Sequence, residues 1–272
     1  MREEEMKIEL EGVHETLLIP LWLRAQETRR EDSIIVDEGA VSLVKNIAYD
    51  FSKFSSGWMS QVGVAIRTML LDRATMRFLG DHPDTVIINI GAGLDTRCDR
   101  LDRPGSHWYD LDVPEVIALR KRFYENAPDY TMIAQSVFDY SWIEAVQSDN
   151  RPVLILAEGV LMYFEEREVR ELMNILAENF PGAEMLFEII SPLLVKQSKR
   201  HDTVKHTDAR FKWGVYGGRH VESFSRAITF IEEWNYLDYY PKRWKWFRWP
   251  AKIPAFKRRF NSCIVHVAFT SG

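Results

Sequence analysis

The sequence predicts an α/β fold in which a helical N-terminal cap precedes a doubly wound, seven-stranded sheet. Three observations predict it. Apolar residues recur at helical spacing through most of residues 15–79, before any strand pattern begins. After residue 85, short apolar runs of strand length alternate with helical segments, as in parallel sheets covered by helices. The run at 152–157 is apolar throughout, which is typical of a central strand buried on both faces.

Length and composition limit the class of protein. The 272 residues suffice for one large α/β domain, with a cap over residues 1–80 and a core over 81–272 that carries an insertion at about 191–218. The net charge of −5 argues against a nucleic-acid partner. Two cysteines are too few for a disulfide scaffold, and no spacing of possible ligands indicates a metal site. Because there is no signal-peptide pattern and no apolar run of about 18 residues, we expect a cytoplasmic protein without a membrane partner.

The elements follow from the apolar periodicity. In the cap, helices are predicted at 15–30, 37–51 and 58–79. Asp37 stands where it can cap the second helix, Arg24 lies on the polar side of the first, and Arg67 lies beside the apolar stripe of the third. The seven core strands are predicted at 85–90, 107–111, 130–134, 152–157, 183–190, 236–240 and 261–270. Helices are predicted between them at 113–126, 141–147, 165–179 and 221–233.

Two strands end in residues that suit a nucleotide-type ligand. The first runs into a turn formed by Gly91, Ala92 and Gly93, and the second ends at Asp110 and Asp112. Glycines let a ligand approach the backbone of a tight turn, and an acid about 20 residues further on accepts the hydroxyls of a ribose. Gly91 and Asp112 are 21 positions apart (112 − 91), so the pattern predicts half of a nucleotide cleft.

The residues after the turn favour a cationic ligand. Thr96 occupies the place of the third glycine in a dinucleotide fingerprint, and the carboxylate of Asp95 next to it would repel a pyrophosphate. Glu158 ends the apolar strand at 152–157, where a buried carboxylate requires a positive partner. This pattern favours S-adenosyl-L-methionine over NAD. An NAD(P)-dependent oxidoreductase and a non-catalytic partner-binding protein with the same fold remain alternatives.

Several segments carry a resemblance to a known family. Over about residues 15–190, the chain resembles the leucine carboxyl methyltransferase and tetracenomycin-type O-methyltransferase family. The segments are ETLLIPLWLRAQETRR (15–30), IRTMLLDR (66–73), INIGAGLDTR (88–97), YDLDVPEVIALR (109–120), DYSW (139–142) and AEGVLMYF (157–164). Their order and spacing are far more specific than a pair of glycines.

The resemblance implies a seven-stranded, Rossmann-like methyltransferase fold and O-methylation with S-adenosyl-L-methionine as the methyl donor. It also implies roles for particular residues. Arg67 would bind the carboxylate of the methionine moiety, and Glu158 would face its amino group. The turn at Gly91, with Asp95 close by, would pass beneath the methionine moiety, and Asp112 would bind the ribose.

Other positions match the family less directly. Ser136 and Val137 would flank the adenine. Relatives usually carry Asp where this chain has Ser136, so Asp139 is the alternative adenine contact. Arg24 matches a basic position of the family's N-terminal helix and is counted among the cofactor-binding residues.

The chemistry of the acceptor limits the mechanism. A carboxylate is ionised at pH 7 and needs only orientation, whereas a phenol with a pKa near 10 requires a base. We expect a small-molecule acceptor, such as an aromatic or polyketide-like acid, that is methylated on a carboxylate or a hydroxyl. Arg67 and Tyr163 are expected near the reacting centre as catalytic residues. No oligomeric state is predicted.

Residues 236–260, called here the aromatic–basic segment, interleave aromatic and basic side chains. Such a composition can bind RNA or an anionic membrane face. It can also form the wall of an aromatic pocket with its charges in water. From the sequence we favour the pocket wall or simple packing.

Overall fold

The computed structural model describes residues 6–7, 14–55, 57–198, 207, 209–260 and 262–270. Within these residues, the main sheet has seven strands, in the spatial order β3-β2-β1-β4-β5-β7-β6. The strands are β1 (Val86–Ile90), β2 (His107–Asp112), β3 (Tyr130–Ala134), β4 (Val153–Ala157), β5 (Glu184–Ile190), β6 (Ile228–Asn235) and β7 (Ser262–Phe269). The predicted seven-stranded α/β class is confirmed.

The sheet is mixed rather than wholly parallel as expected. Strands β1 to β5 pair in parallel, whereas β7 is antiparallel to β5 on one side and to β6 on the other. The strand order reverses between β1 and β4, which are neighbours. In such sheets the crevice outside the carboxyl ends of these two strands is the usual ligand site.

Helices cover both faces of the sheet. They are α1 (Leu18–Thr28), α2 (Glu38–Asn46), α3 (Trp58–Asp81), α4 (Arg97–Arg100), α5 (Pro114–Arg120), α6 (Trp142–Ala145), α7 (Glu166–Asn179), α8 (Pro192–Lys196) and α9 (Pro254–Arg259). Asp37 caps α2 as expected, because its side chain accepts a hydrogen bond from the N–H of Ala40. Among the described residues, no helix is both long and apolar enough to cross a membrane. Part of the predicted insertion, residues 199–206 and 208, lies outside the described residues.

Helix α3 connects the cap to the sheet. Its apolar side, which includes Ile66 and Leu70, packs on the sheet face that carries Ile87 and Leu154. Val64 packs instead among residues of α1 and α2, such as Leu18. Helix α7 covers the opposite sheet face. Because β1 and β4 are buried along their whole length, both faces require such cover.

The sequence prediction was wrong at one edge of the sheet. The helix predicted at 221–233 is replaced by a 3₁₀ turn, Gly218–Ser223, followed by β6, and the strand predicted at 236–240 is a 3₁₀ turn, Tyr236–Asp238. Strand β6 is an edge strand with a bulge between Phe230 and Glu232. The bulge interrupts the alternation of apolar and polar residues, so the segment imitates a helical pattern.

A buried ion pair holds β2 to the helix that follows it. Arg120 Nη2 lies 2.5 Å from Asp110 Oδ2, and neither side chain is exposed. The Asp110 carboxylate also accepts hydrogen bonds from Asn89, Trp108 and Tyr130. Because the carboxylate is surrounded by donors, its desolvation is offset by direct interactions.

We expect the Asp110→Ala variant to lose about 3–5 kcal/mol of unfolding free energy, because Arg120 would remain buried without its counter-charge. Urea unfolding followed by circular dichroism measures the change. Asp102→Ala, at an exposed position, is the matched control and should stay within about 0.5 kcal/mol of the parent chain. Equal stability of the two variants would contradict the structural role of Asp110.

Candidate active site

A cavity of about 460 Å³ lies at the carboxyl ends of β1, β2 and β4, beneath the cap. Nine of the predicted site residues line it: Arg24, Arg67, Gly91, Ala92, Gly93, Asp95, Asp112, Glu158 and Tyr163. Helices α1 and α3 provide the two arginines, and the turns after the strands provide most of the rest. Residues far apart in the chain are therefore brought into one site.

The glycine turn after β1 requires glycine for two physical reasons. Gly91 has a φ of 67°, a conformation that L side chains rarely adopt. A Cβ at this position would also lie 2.8 Å from Cγ2 of Val160, which is closer than carbon atoms approach. Both constraints apply at a position where the turn lines the cavity.

The structure separates the two acids at the end of β2. Asp112 lines the cavity, and its carboxylate accepts hydrogen bonds of 2.8 Å from the N–H groups of Gly93 and Val113. Asp110 is wholly buried in its pair with Arg120. Of the two acids, Asp112 is the one placed to meet a ligand.

Ion pairs run along the cavity wall from the sheet to the cap. Arg67 Nε lies 2.8 Å from Glu158 Oε1, and Arg67 Nη1 lies 2.8 Å from Glu188 Oε2. Arg97 Nη2 lies 2.6 Å from the other oxygen of Glu158. Burial by itself would raise the pKa of Glu158, but the guanidiniums of Arg67 and Arg97 hold it well below its usual range. Glu158 is therefore ionised at neutral pH.

Sequence reasoning missed Glu188 and Tyr236, both of which line the cavity. The Tyr236 hydroxyl donates a 2.8 Å hydrogen bond to Glu188 Oε1. Glu188 lies within the buried strand β5, between apolar residues. A carboxylate inside such a strand needs a buried partner. The acidic residue within an apolar run was therefore the signal in the sequence that could have identified Glu188.

Arg97 also forms ion pairs with two further carboxylates. Its Nη1 lies 2.5 Å from Asp95 Oδ2, and its Nε lies 2.7 Å from Asp72 Oδ1. Arg100 also pairs with Asp72. Asp95 is thus fixed between Arg97 and the amide of Asn89, which donates to it over 3.3 Å.

A second group of contacts ties the cap to the glycine turn. Arg24 donates from Nε to Asp37 over 2.8 Å and from Nη2 to the carbonyl of Leu94 over 2.8 Å. The Thr96 hydroxyl donates a 2.7 Å hydrogen bond to the same Asp37 carboxylate. Thr96, which replaces the third glycine of the fingerprint, therefore contacts the cap.

The charges on the cavity wall do not cancel. Six ionisable side chains with an acidic or guanidinium group line it: Arg24, Arg67, Asp95, Asp112, Glu158 and Glu188. Two positive and four negative charges give a sum of −2. Both arginines are already paired with carboxylates, so the wall favours a ligand with positive charge. Among the described residues, no group of three or more His, Cys, Asp or Glu side chains is arranged to hold a metal ion.

Tyr163 lies at the edge of the cavity, with its ring 5.4 Å from that of Phe211. Burial raises the pKa of Tyr163 to about 12. The hydroxyl therefore remains protonated at neutral pH. It can donate a hydrogen bond, but it cannot act as a ready base.

The predicted adenine contacts lie apart from the residues that line the cavity. Ser136, Val137 and Asp139 form the turn after β3, where Ser136 Oγ accepts from the N–H of Phe138 and Asp139 accepts from the Ser141 hydroxyl. The carbonyl of Val137 accepts from the indole of Trp142. Their role toward adenine stays a prediction.

We expect the Gly91→Ala variant to be destabilised by about 1–3 kcal/mol, because the new Cβ is strained at positive φ and overlaps Val160. Thermal and urea unfolding measure the change. Gly80→Ala is the control, since Gly80 is an exposed residue of α3 whose added Cβ meets nothing within 4 Å. The control should gain up to about 0.5–1 kcal/mol, and destabilisation of both variants alike would contradict the argument.

Comparisons with known proteins identify the family of the chain. The family model for leucine carboxyl methyltransferase matches residues 18–177. The tetracenomycin polyketide synthesis O-methyltransferase TcmP of Streptomyces glaucescens is 36% identical over 232 residues, which cover 85% of this chain and 86% of that protein. The S-adenosyl-L-methionine-dependent methyltransferase dpfgK of Gibberella zeae is 31% identical over 259 residues, covering 87% of this chain and 86% of the relative.

A solved structure supports the fold. The crystal structure of a DUF574 family protein from Streptomyces avermitilis superimposes with a TM-score of 0.58 and 14% identity, covering 92% of this chain and 97% of that one. The match of the family model and the two relatives confirms the family that the sequence motifs predicted. The chain belongs to the leucine carboxyl methyltransferase family.

Proposed function

We propose that the protein transfers the methyl group of S-adenosyl-L-methionine to an oxygen atom of a small-molecule acceptor. The observation that carries the proposal is the cavity at the switch point of the sheet, where an open glycine turn meets a wall with a charge sum of −2. S-adenosyl-L-methionine carries two positive groups and one carboxylate, so it complements such a wall. NAD, with its pyrophosphate, would be repelled. The relative TcmP is an O-methyltransferase and dpfgK is an S-adenosyl-L-methionine-dependent methyltransferase, which supports the proposal.

Four of the cavity residues have a proposed role toward the cofactor. Asp112 would accept the ribose hydroxyls, and Glu158, ionised at neutral pH, would bind the amino group of the methionine moiety. Arg67 uses Nε and Nη1 for its two glutamates, which leaves its Nη2 edge for the methionine carboxylate. Arg24 would support the turn beneath the cofactor through its bond to the Leu94 carbonyl.

The protein contributes position and exclusion of water. Bound S-adenosyl-L-methionine supplies an electrophilic methyl group, and transfer is an in-line displacement that depends on alignment. Arg67, held between two glutamates, would fix the methionine end. Tyr163 would donate a hydrogen bond to the acceptor and orient it, since its hydroxyl is neutral. The cap would separate the reacting groups from bulk water.

The acceptor would occupy the aromatic half of the cavity. This half is lined by Tyr236, Trp244, Phe247 and Phe260. Flat aromatic molecules stack well against such walls, so we propose an aromatic or polyketide-like acid that is methylated on a carboxylate or a hydroxyl. Labelled transfer followed by mild alkali distinguishes the two products, because a methyl ester is cleaved and an aryl methyl ether is not.

We expect S-adenosylhomocysteine, the product form of the cofactor, to bind and to raise the melting temperature, whereas NADH does neither. In Asp112→Ala, titration calorimetry should show an affinity at least about tenfold lower, because hydrogen bonds to a charged acceptor are lost. Asp102→Ala, at an exposed position that does not line the cavity, should bind normally. Stabilisation by NADH alone would overturn the proposed function, and unchanged affinity of Asp112→Ala would overturn the ribose assignment.

We expect Tyr163→Phe to lower kcat by about tenfold or more, because a hydrogen-bond donor to the acceptor is removed. Since the pKa of Tyr163 is raised to about 12, the hydroxyl stays protonated up to about pH 10. The rate profiles of the parent and the variant should therefore have the same shape between about pH 6 and 9. A basic limb that disappears only in the variant would show that Tyr163 acts as a base instead. S-adenosylhomocysteine affinity serves as the control for intact folding.

A further inference from the structure

The aromatic–basic segment has an inner and an outer face. Its inner residues Trp244 and Phe247 are buried and line the cavity. On its outer face, Trp246 is 65% exposed, Trp249 is 61% exposed and Ile253 is 56% exposed. Large apolar side chains exposed to this degree and grouped in one short segment indicate a surface that is covered by a partner.

The charge of this region opposes that of the rest of the chain. Residues 239–272 contain eight Lys or Arg and no Asp or Glu, so residues 1–238 carry −13 (−5 − 8). Of these eight, Arg243 and Lys257 pair with acids of neighbouring elements. The other six are all exposed: Lys242, Lys245, Arg248, Lys252, Arg258 and Arg259. The outer face therefore attracts anions although the protein as a whole is acidic.

We propose that this outer face docks the protein on an anionic lipid surface. Tryptophan prefers the interface between headgroups and acyl chains, and lysine and arginine beside it contact anionic headgroups. Docking of this kind needs no spanning helix. The proposal differs from the expectation, drawn from the sequence, that there is no membrane partner.

Two contacts favour lipid over a single-stranded nucleic acid. Arg248 Cζ lies 5.0 Å and Lys252 Nζ lies 5.2 Å from the centre of the Trp249 ring. A base would have to displace these cations to stack on the ring, whereas edge-on insertion into headgroups leaves them in place. Ile253 and the exposed Pro254 next to it offer no aromatic face to a base, but they add apolar area for lipid.

Docking would place the aromatic half of the cavity beside the lipid. Trp244, Phe247 and Phe260 line that half, and they belong to the segment whose other face would contact headgroups. An apolar acceptor dissolved in the membrane would then lie close to the cavity. The docking itself does not depend on the proposed methyl transfer, so each can be tested alone.

The test is vesicle flotation with the full chain. Phosphatidylcholine vesicles with about 30% phosphatidylserine are compared with pure phosphatidylcholine vesicles at low and physiological salt. We expect binding to the anionic vesicles that weakens with salt, little binding to neutral ones, and quenching of tryptophan fluorescence by brominated lipid. Arg248→Glu/Lys252→Glu should bind at least about tenfold more weakly. Trp246→Ala/Trp249→Ala should also bind more weakly and lose most of the quenching.

Matched controls separate docking from general charge. Lys121→Glu/Arg122→Glu changes the net charge equally at two exposed positions after α5, and it should bind within about twofold of the parent chain. Unchanged S-adenosylhomocysteine affinity and melting temperature show that each variant is folded. No binding to anionic vesicles, or an equal loss in the control pair, would overturn the proposal. Tighter binding to a single-stranded oligonucleotide or to polyglutamate than to vesicles would overturn it in favour of a nucleic acid or an acidic protein.

Discussion

The chain of ion pairs from Glu188 through Arg67 and Glu158 to Arg97 determines the form of the cavity. These four side chains come from β5, from α3, from the turn after β4 and from α4, so sheet, cap and glycine turn meet in one set of charges. Buried charges are costly to desolvate, and the cost is offset only when each partner is present in good geometry. The cap therefore cannot shift on the sheet without leaving a charge unpaired. A site of this kind is preorganised before any ligand enters.

The same network contributes to the negative net charge of the cavity wall. Arg67 and Arg24 contribute positive charge, but each is already bound to carboxylates of the chain, and the acids on the wall outnumber them. A ligand with positive groups would complete the balance, and Asp95 lies next to the place where a dinucleotide site would have a further glycine. Thr96 at that place has a structural role, because its hydroxyl donates a hydrogen bond to the carboxylate of Asp37. The residue that replaces the third glycine therefore contributes a hydrogen bond between the glycine turn and the cap.

The aromatic–basic segment contributes side chains both to the cavity and to the exposed surface. It follows the edge strand β6 and contributes to the lining of the cavity, and β7 then lies between β5 and β6. Trp244 and Phe247 are thereby packed inward, and Arg243 binds Glu27 of α1, which holds the segment to the cap. Trp246 and Trp249, together with the cations beside them, are exposed on the outside. The inner side of the segment is already occupied by Trp244 and Phe247, which are buried.

Much of this molecule was determined by the sequence alone. Continuous apolar runs bounded by helical segments predict the class and the first five strands, because burial on both faces leaves a pattern that needs no knowledge of neighbours. The glycine turn, Asp112 and Glu158 were predicted at strand ends, since parallel strands bring their carboxyl ends to one edge. The edge strand β6 was mistaken for a helix, because an edge strand with a bulge lacks the period of two.

Which charged side chains pair with one another could not be predicted from the sequence. Arg67 and Glu188 are 121 positions apart, and Arg97 and Glu158 are 61 apart, so no local pattern links them. The buried partner of Asp110 was likewise found only in the structure, where Arg120 pairs with it in the interior. Local periodicity determines elements because it reports burial along a segment. The pairing of buried charges depends on how the elements pack against one another, and this was decided only when the chain had folded.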